Sequence, residues 1–142
     1  MSSEAEPERK RSGRIYLLEL YQGMMNDTDG EGGISVTLNV QGCVVSGFII
    51  GMKPYYEGIS KLTIESAVGK PGEHITETKQ DLQEIFQDII KSAKIASDEG
   101  KPINHIFLRD AKIYTGERIM SSKGGYWAGR IDDVNGFMLG AL

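Results

Sequence analysis

The sequence is poor in the residues on which most catalytic and metal chemistry is built. Of its 142 residues, one is a cysteine, Cys43, and two are histidines, His74 and His105. A single thiol excludes an intrachain disulfide and a cysteine-based zinc site. The histidines stand far apart, with no carboxylate at metal-ligand spacing. Basic residues are also in deficit: 16 Lys and Arg face 20 Asp and Glu, a net charge of −4. Such a chain is a poor partner for nucleic acid, whose binding rests on neutralising phosphates. No apolar run approaches the roughly 20 residues of a membrane helix, and no secretory pattern opens the chain. The expectation is a cytoplasmic protein without a membrane anchor.

What is present is an ordinary globular composition, 39% hydrophobic and 25% charged, with eighteen glycines. The length suits one domain with a real core. Residues 1–13 carry Glu4, Glu6 and Glu8 followed by Arg9, Lys10 and Arg11, with no large aliphatic after Met1, and read as a flexible tail. Residues 14–142 then form a single α+β domain.

The stretch Ile34–Tyr56 organises that domain. Ile34, Val36, Leu38 and Val40 alternate with polar residues, the period of a strand buried on one face. Gln41-Gly42 supplies a hairpin turn, and Cys43–Ile50 returns as a strand interrupted by Gly47 and followed by Gly51. Glycines there mark a bend or a close backbone approach, as in a small barrel. Upstream, Ile15, Leu18 and Met25 fall on one helical stripe, with Leu17, Tyr21 and Met24 beside it. This predicts a short helix over 15–25 that packs on the sheet or offers a sticky face to a partner.

Between hairpin and C-terminal third lies a helical insert, about 54–100. Pro54, Tyr55, Ile59 and Leu62 suit a short helix, although Leu62, Ile64 and Ser66 also suit a strand. Over 78–98, Leu82, Ile85, Phe86, Ile89, Ile90 and Ala93 make one apolar stripe, started by Thr78 and Asp81 as a capping pair and stopped by Gly100 and Pro102. Packing into the core is the expected role of that stripe. The last forty residues return to β structure, through Ile103–Leu108, Ala111–Tyr114, Gly125–Ile131 and Gly136–Gly140. About five strands result, enough for a strongly bent antiparallel barrel of the SH3/Sm type.

Chemical motifs fail on inspection. Asp27, Asp29 and Glu31 lack the flanking ligands of a calcium loop, with Met25 and Val36 in those places. Lys70 lies between glycines without phosphate-loop spacing. Cys43, His105 and Asp110 form a nucleophile–base–orienter set only on paper, since Cys43 opens an apolar strand. Asp132-Asp133 are adjacent turn carboxylates. No catalytic residue, cofactor site or metal site is assigned. The candidate surface for a protein partner is Tyr21, Tyr55, Tyr56, Tyr126 and Trp127, together with the 15–25 helix.

Two blocks resemble a known family. Asn39–Gly47 reads N-V-x-G-x-V-x-S-G, Leu108–Glu117 reads L-x-x-x-K-I-Y-x-G-E, and Val134–Gly140 reads V-x-G-F-x-L-G. A Ser/Lys/Gly loop at Ser121–Gly125, an aromatic and Gly129-Arg130-Ile131 precede that ending in order. This ordered set, over roughly 33–60 and 104–142, resembles the gas vesicle accessory protein U family. The resemblance implies a non-enzymatic protein that binds the vesicle shell, itself, or both, to influence vesicle assembly or clustering. It implies the shell protein and a homo-oligomer as partners, and no catalytic residues.

Gly42, Val45, Gly47, Ile49, Gly51 and Met52 also resemble the first motif of Sm-like proteins, and residues 105–111 their third strand. That likeness implies a barrel and, as an alternative function, an RNA-binding ring. Lys53 and Glu57 occupy the places where those binders carry aspartate and asparagine, which argues against RNA.

Overall fold

The computed structural model describes residues 14–28, 32–67, 75–116 and 118–142. In chain order these form helix α1 (Tyr16–Asn26), the hairpin β1 (Ile34–Val40) and β2 (Cys43–Ile49), and helices α2 (Met52–Ser66) and α3 (Ile75–Asp98). Strands β3 (His105–Thr115) and β4 (Arg118–Arg130) follow, then a 3-10 turn at Ile131–Asp133 and strand β5 (Val134–Leu139). The α+β class holds. The predicted tail, Lys70, His74 and, in the calcium-like loop, Asp29 and Glu31 lie outside the described residues.

The five strands form one antiparallel sheet in the order β4-β3-β2-β1-β5. Its two outer strands, β4 and β5, do not pair with each other, so the sheet is open and does not form the small bent barrel that the glycine spacing predicted. Gln41 and Gly42 both take positive φ (52° and 89°), the geometry of a two-residue hairpin turn with the twist of its strands. At Gly47 a Cβ would come within 2.9 Å of the Arg109 carbonyl oxygen, and the β2/β3 register shifts at that point. Asp110 answers across the bend with φ +50°, its carboxylate 2.6 Å from the Arg109 guanidinium.

One face of the sheet holds the core. Val36 and Leu38, Val45 and Ile49, Ile106, Leu108 and Ala111, with Ile131 and Val134, pack beneath Leu18 and Met25 of α1. Each large aliphatic so buried contributes about 1.5–3 kcal/mol relative to exposure. Between Leu18 and Met25 sits Gln22, fully buried. Its amide behaves as a missing peptide unit: Nε2 donates to the Ile50 carbonyl at 2.7 Å and Oε1 accepts from the Phe107 amide at 2.9 Å. Nε2 also donates to Asn26 Oδ1, which in turn accepts from the Met52 amide at 2.9 Å and so caps α2 from a distance. This chain of bonds satisfies the backbone where β2 leaves the sheet, because buried amides and carbonyls without partners are costly. Gly51 lies against it, and a Cβ there would fall 2.6 Å from the Met25 carbonyl oxygen.

Residues 52–66 are helical, resolving the helix-or-strand ambiguity. The second insert helix begins earlier than predicted, at Ile75, so Thr78 lies inside it and does not cap it. Its apolar stripe also departs from expectation. Helix α3 packs along α2, and neither Ile85 (54% exposed) nor Ile89 (36%) enters the core. The two helices form an arm whose root touches the sheet through Tyr55, Tyr56 and Gly58 of α2.

Candidate functional site

The root of the arm gathers rings from three parts of the chain. Tyr55 and Tyr56 meet Phe107 at centroid distances of 4.7 and 5.7 Å, and Tyr126 joins edge-on to Tyr55 at 5.9 Å. Gly58 makes this possible, because any Cβ at that position would enter the Tyr126 ring. His105 stacks on Phe107 at 6.3 Å. Tyr55 is held above its ordinary phenol pKa of 10.0, first by burial and then by the neighbouring Tyr56.

Of the five aromatic residues expected on one surface, three converge here: Tyr55, Tyr56 and Tyr126. The other two do not. Tyr21 packs edge-on against Phe137 of β5, and Trp127 turns toward the core with its ring over Gly129. Tyr55 and Tyr56 are themselves half-buried, which leaves Tyr126 as the exposed member.

A row of exposed apolar side chains lies on α1. Leu18 and Met25 face the core, whereas Leu17, Leu20 and Met24, at i, i+3 and i+7, remain 44%, 56% and 53% exposed, beside Tyr16 at 40%. A cleft of about 760 Å³ runs along this face, floored by Tyr56, His105 and Phe107 and walled opposite by Ala93, Ala96 and the α3–β3 connection. Arg14 ties the start of α1 to this connection, donating to the Ile103 carbonyl and, at 3.1 Å, to Asn104 Oδ1. The sequence carried a signal for this surface, since α1 is apolar on two faces and a single sheet covers only one.

Other candidate chemistry is not assembled. Cys43 is half-buried, its thiol 3.5 Å from the Tyr114 carbonyl oxygen. His105 lies at the opposite end of β3, about 30 Å of strand from Tyr114. Asp132 pairs with Arg14 and Arg130, each at 3.9 Å, and Asp133 accepts from Gln41, so these carboxylates tie turns together. Among the described residues no group of three or more His, Cys, Asp or Glu side chains is placed to hold a metal ion. No helix among them is long and apolar enough to cross a membrane. Lys53 and Glu57 both lie exposed on α2.

Comparison with known proteins adds one finding. A family model described as "Gas vesicle protein GvpU-like" matches residues 16–142, nearly the whole chain. No curated protein and no solved structure matches.

Proposed function

Because the chain belongs to the gas vesicle protein GvpU-like family, we propose that it is a non-enzymatic accessory protein of gas vesicles. It docks on the protein shell of the vesicle through the outward face of α1 and the cleft beside it. It also associates with itself, so that vesicles carrying it are held together in the cytoplasm. The observation that supports the docking face is the row Tyr16, Leu17, Leu20 and Met24, four large apolar side chains exposed on one short helix. Contiguous apolar surface of this kind, bordered by polar residues, marks interaction sites on soluble domains. A groove beside an exposed helix suits a partner segment that brings apolar anchors.

Flotation tests this reading. Purified gas vesicles are mixed with the full chain and floated, and bound protein is measured in the buoyant layer. The wild-type chain is expected to enrich there, and Leu20→Asp with Met24→Asp to reduce enrichment at least tenfold. Both positions are exposed, so folding should change by no more than about 0.5 kcal/mol per substitution. Enrichment no greater than that of an unrelated acidic protein would overturn the proposal.

A further inference from the structure

We propose that the outer edge of β5 joins two copies of this chain, edge to edge about a two-fold axis, into one continuous sheet. The inference rests on the self-association half of the function above and gives it a surface.

An open sheet has two edges, and this one treats them differently. Strand β4 carries the exposed Arg118 and Arg130, and its pairing with β3 is broken by three register shifts. Gly124 takes φ +69° within it, and Trp127 folds over Gly129. Charges, bulges and kinks of this sort prevent an edge from accepting another strand. Strand β5 has none of the charges. Val134–Leu139 contains no ionisable residue and no proline, and its side away from β1 pairs with no described strand. Met138 and Leu139 on it are 67% and 61% exposed, and Leu142 just beyond is 65% exposed. An uncharged, apolar edge is a template for strand addition.

The segment available for pairing is bounded. At one end the β1/β5 register shifts beside Val40, and the Asn135 side chain is engaged by the β1–β2 turn, its Oδ1 accepting from the Gln41 amide at 2.7 Å. At the other end Gly140 takes φ +103°, and its amide is held by the Ser35 carbonyl at 2.8 Å. Gly136–Leu139 therefore presents a short regular edge. A two-fold axis sets such an edge against itself in antiparallel register, so the same donors and acceptors satisfy each other in both copies. A second copy is the one partner certain to carry an edge of matching length and polarity. The unguarded edge of β5 selects this isologous arrangement over a head-to-tail one, which needs the guarded edge of β4.

Sedimentation equilibrium and site-directed crosslinking test the proposal on the full chain. The wild-type protein is expected to sediment as a dimer, twice the 15.6 kDa of one chain. Met138→Lys should weaken the dimer at least about tenfold, because like charges then face each other across the axis. In a Cys43→Ala background, Met138→Cys should form a disulfide-linked dimer and Arg130→Cys should not. A wild-type monomer at high micromolar concentration would overturn the proposal. So would a dimer indifferent to Met138→Lys, or one crosslinked only between a β5 cysteine and a β4 cysteine. Flotation separates the two readings: a β5 dimer that ignores vesicles overturns the proposed function and leaves the edge standing. A chain that floats with vesicles and self-associates, yet is indifferent to Met138→Lys, does the reverse.

Discussion

Helices α1 and α3 show how little length and amphipathic pattern say about where a helix is used. Helix α1 has 11 residues, yet places Leu18, Gln22 and Met25 in the interior. Helix α3 has 24 residues and the longer apolar stripe, yet none of its residues 78–98 is fully buried. The difference lies in the surface each helix meets. Helix α1 lies against β2 and β3, and its Leu18 and Met25 join the core side chains of the sheet. Helix α3 meets one other helix, α2, which itself buries no residue completely. A two-helix arm has no third layer to cover it, so its stripe is half-dry at best. Stability should therefore be concentrated in the sheet and α1, and the arm should contribute little.

The largest test of that contrast is Leu18→Ala. Leu18 is completely buried in the central cluster, and removing its side chain leaves a cavity under α1. A loss of about 3 kcal/mol is expected, read as a lower denaturant midpoint. A loss under about 1 kcal/mol would mean that α1 is not seated as described.

The matching substitution on the arm is Ile85→Ala. Ile85 keeps more than half of its surface in solvent, so truncation should cost less than about 1 kcal/mol in the isolated protein. A loss as large as that of Leu18→Ala would show that another molecule or segment covers α3, and would dissolve the contrast between the two helices. Both measurements belong at the same protein concentration, since a partner copy stabilises by mass action.

How far these features were legible in the sequence follows from the range of the interactions involved. The β1–β2 hairpin was fully legible, because alternation in Ile34–Val40 and the turn chemistry of Gln41-Gly42 are local. So was the tight approach at Gly47, where a missing side chain is itself the signal. Closure of the sheet was not legible. It depends on whether β4 and β5 meet after the curvature of five strands, and no short pattern records that sum. Gln22 was missed for the opposite reason. A polar residue on an apolar stripe looks like a gap, and only the positions of Ile50 and Phe107, both distant in sequence, show that its amide replaces a peptide unit. Of the five candidate aromatic residues, Tyr55, Tyr56 and Tyr126 come together at the root of the arm, while Tyr21 and Trp127 pack elsewhere. The sequence could not sort them, because successive strand residues such as Tyr126 and Trp127 face opposite ways and the inward choice is set by the neighbours. The exposed apolar face of α1 was half legible: its second apolar row is in the sequence, but the cleft beside it requires the α3–β3 connection.

The smallest expected effect lies where the two regions join. Tyr55 sits at the root of the arm, its ring 4.7 Å from Phe107 of the sheet, and its phenol is raised above 10.0 by burial and then by Tyr56. Between the ordinary and the raised value, the unfolded chain has released this proton while the folded chain still holds it. Folding is therefore linked to proton retention, and the contribution of Tyr55 to stability is present below pH 10 and lost as pH climbs through the folded value. Tyr55→Phe keeps the ring and removes the proton. At pH 7 its stability should match the wild type to within about 0.5 kcal/mol, and above pH 10 it should decline less steeply. Parallel curves for the two proteins across that alkaline range would mean that the Tyr55 hydroxyl reaches solvent at the root of the arm and that its proton is not linked to folding.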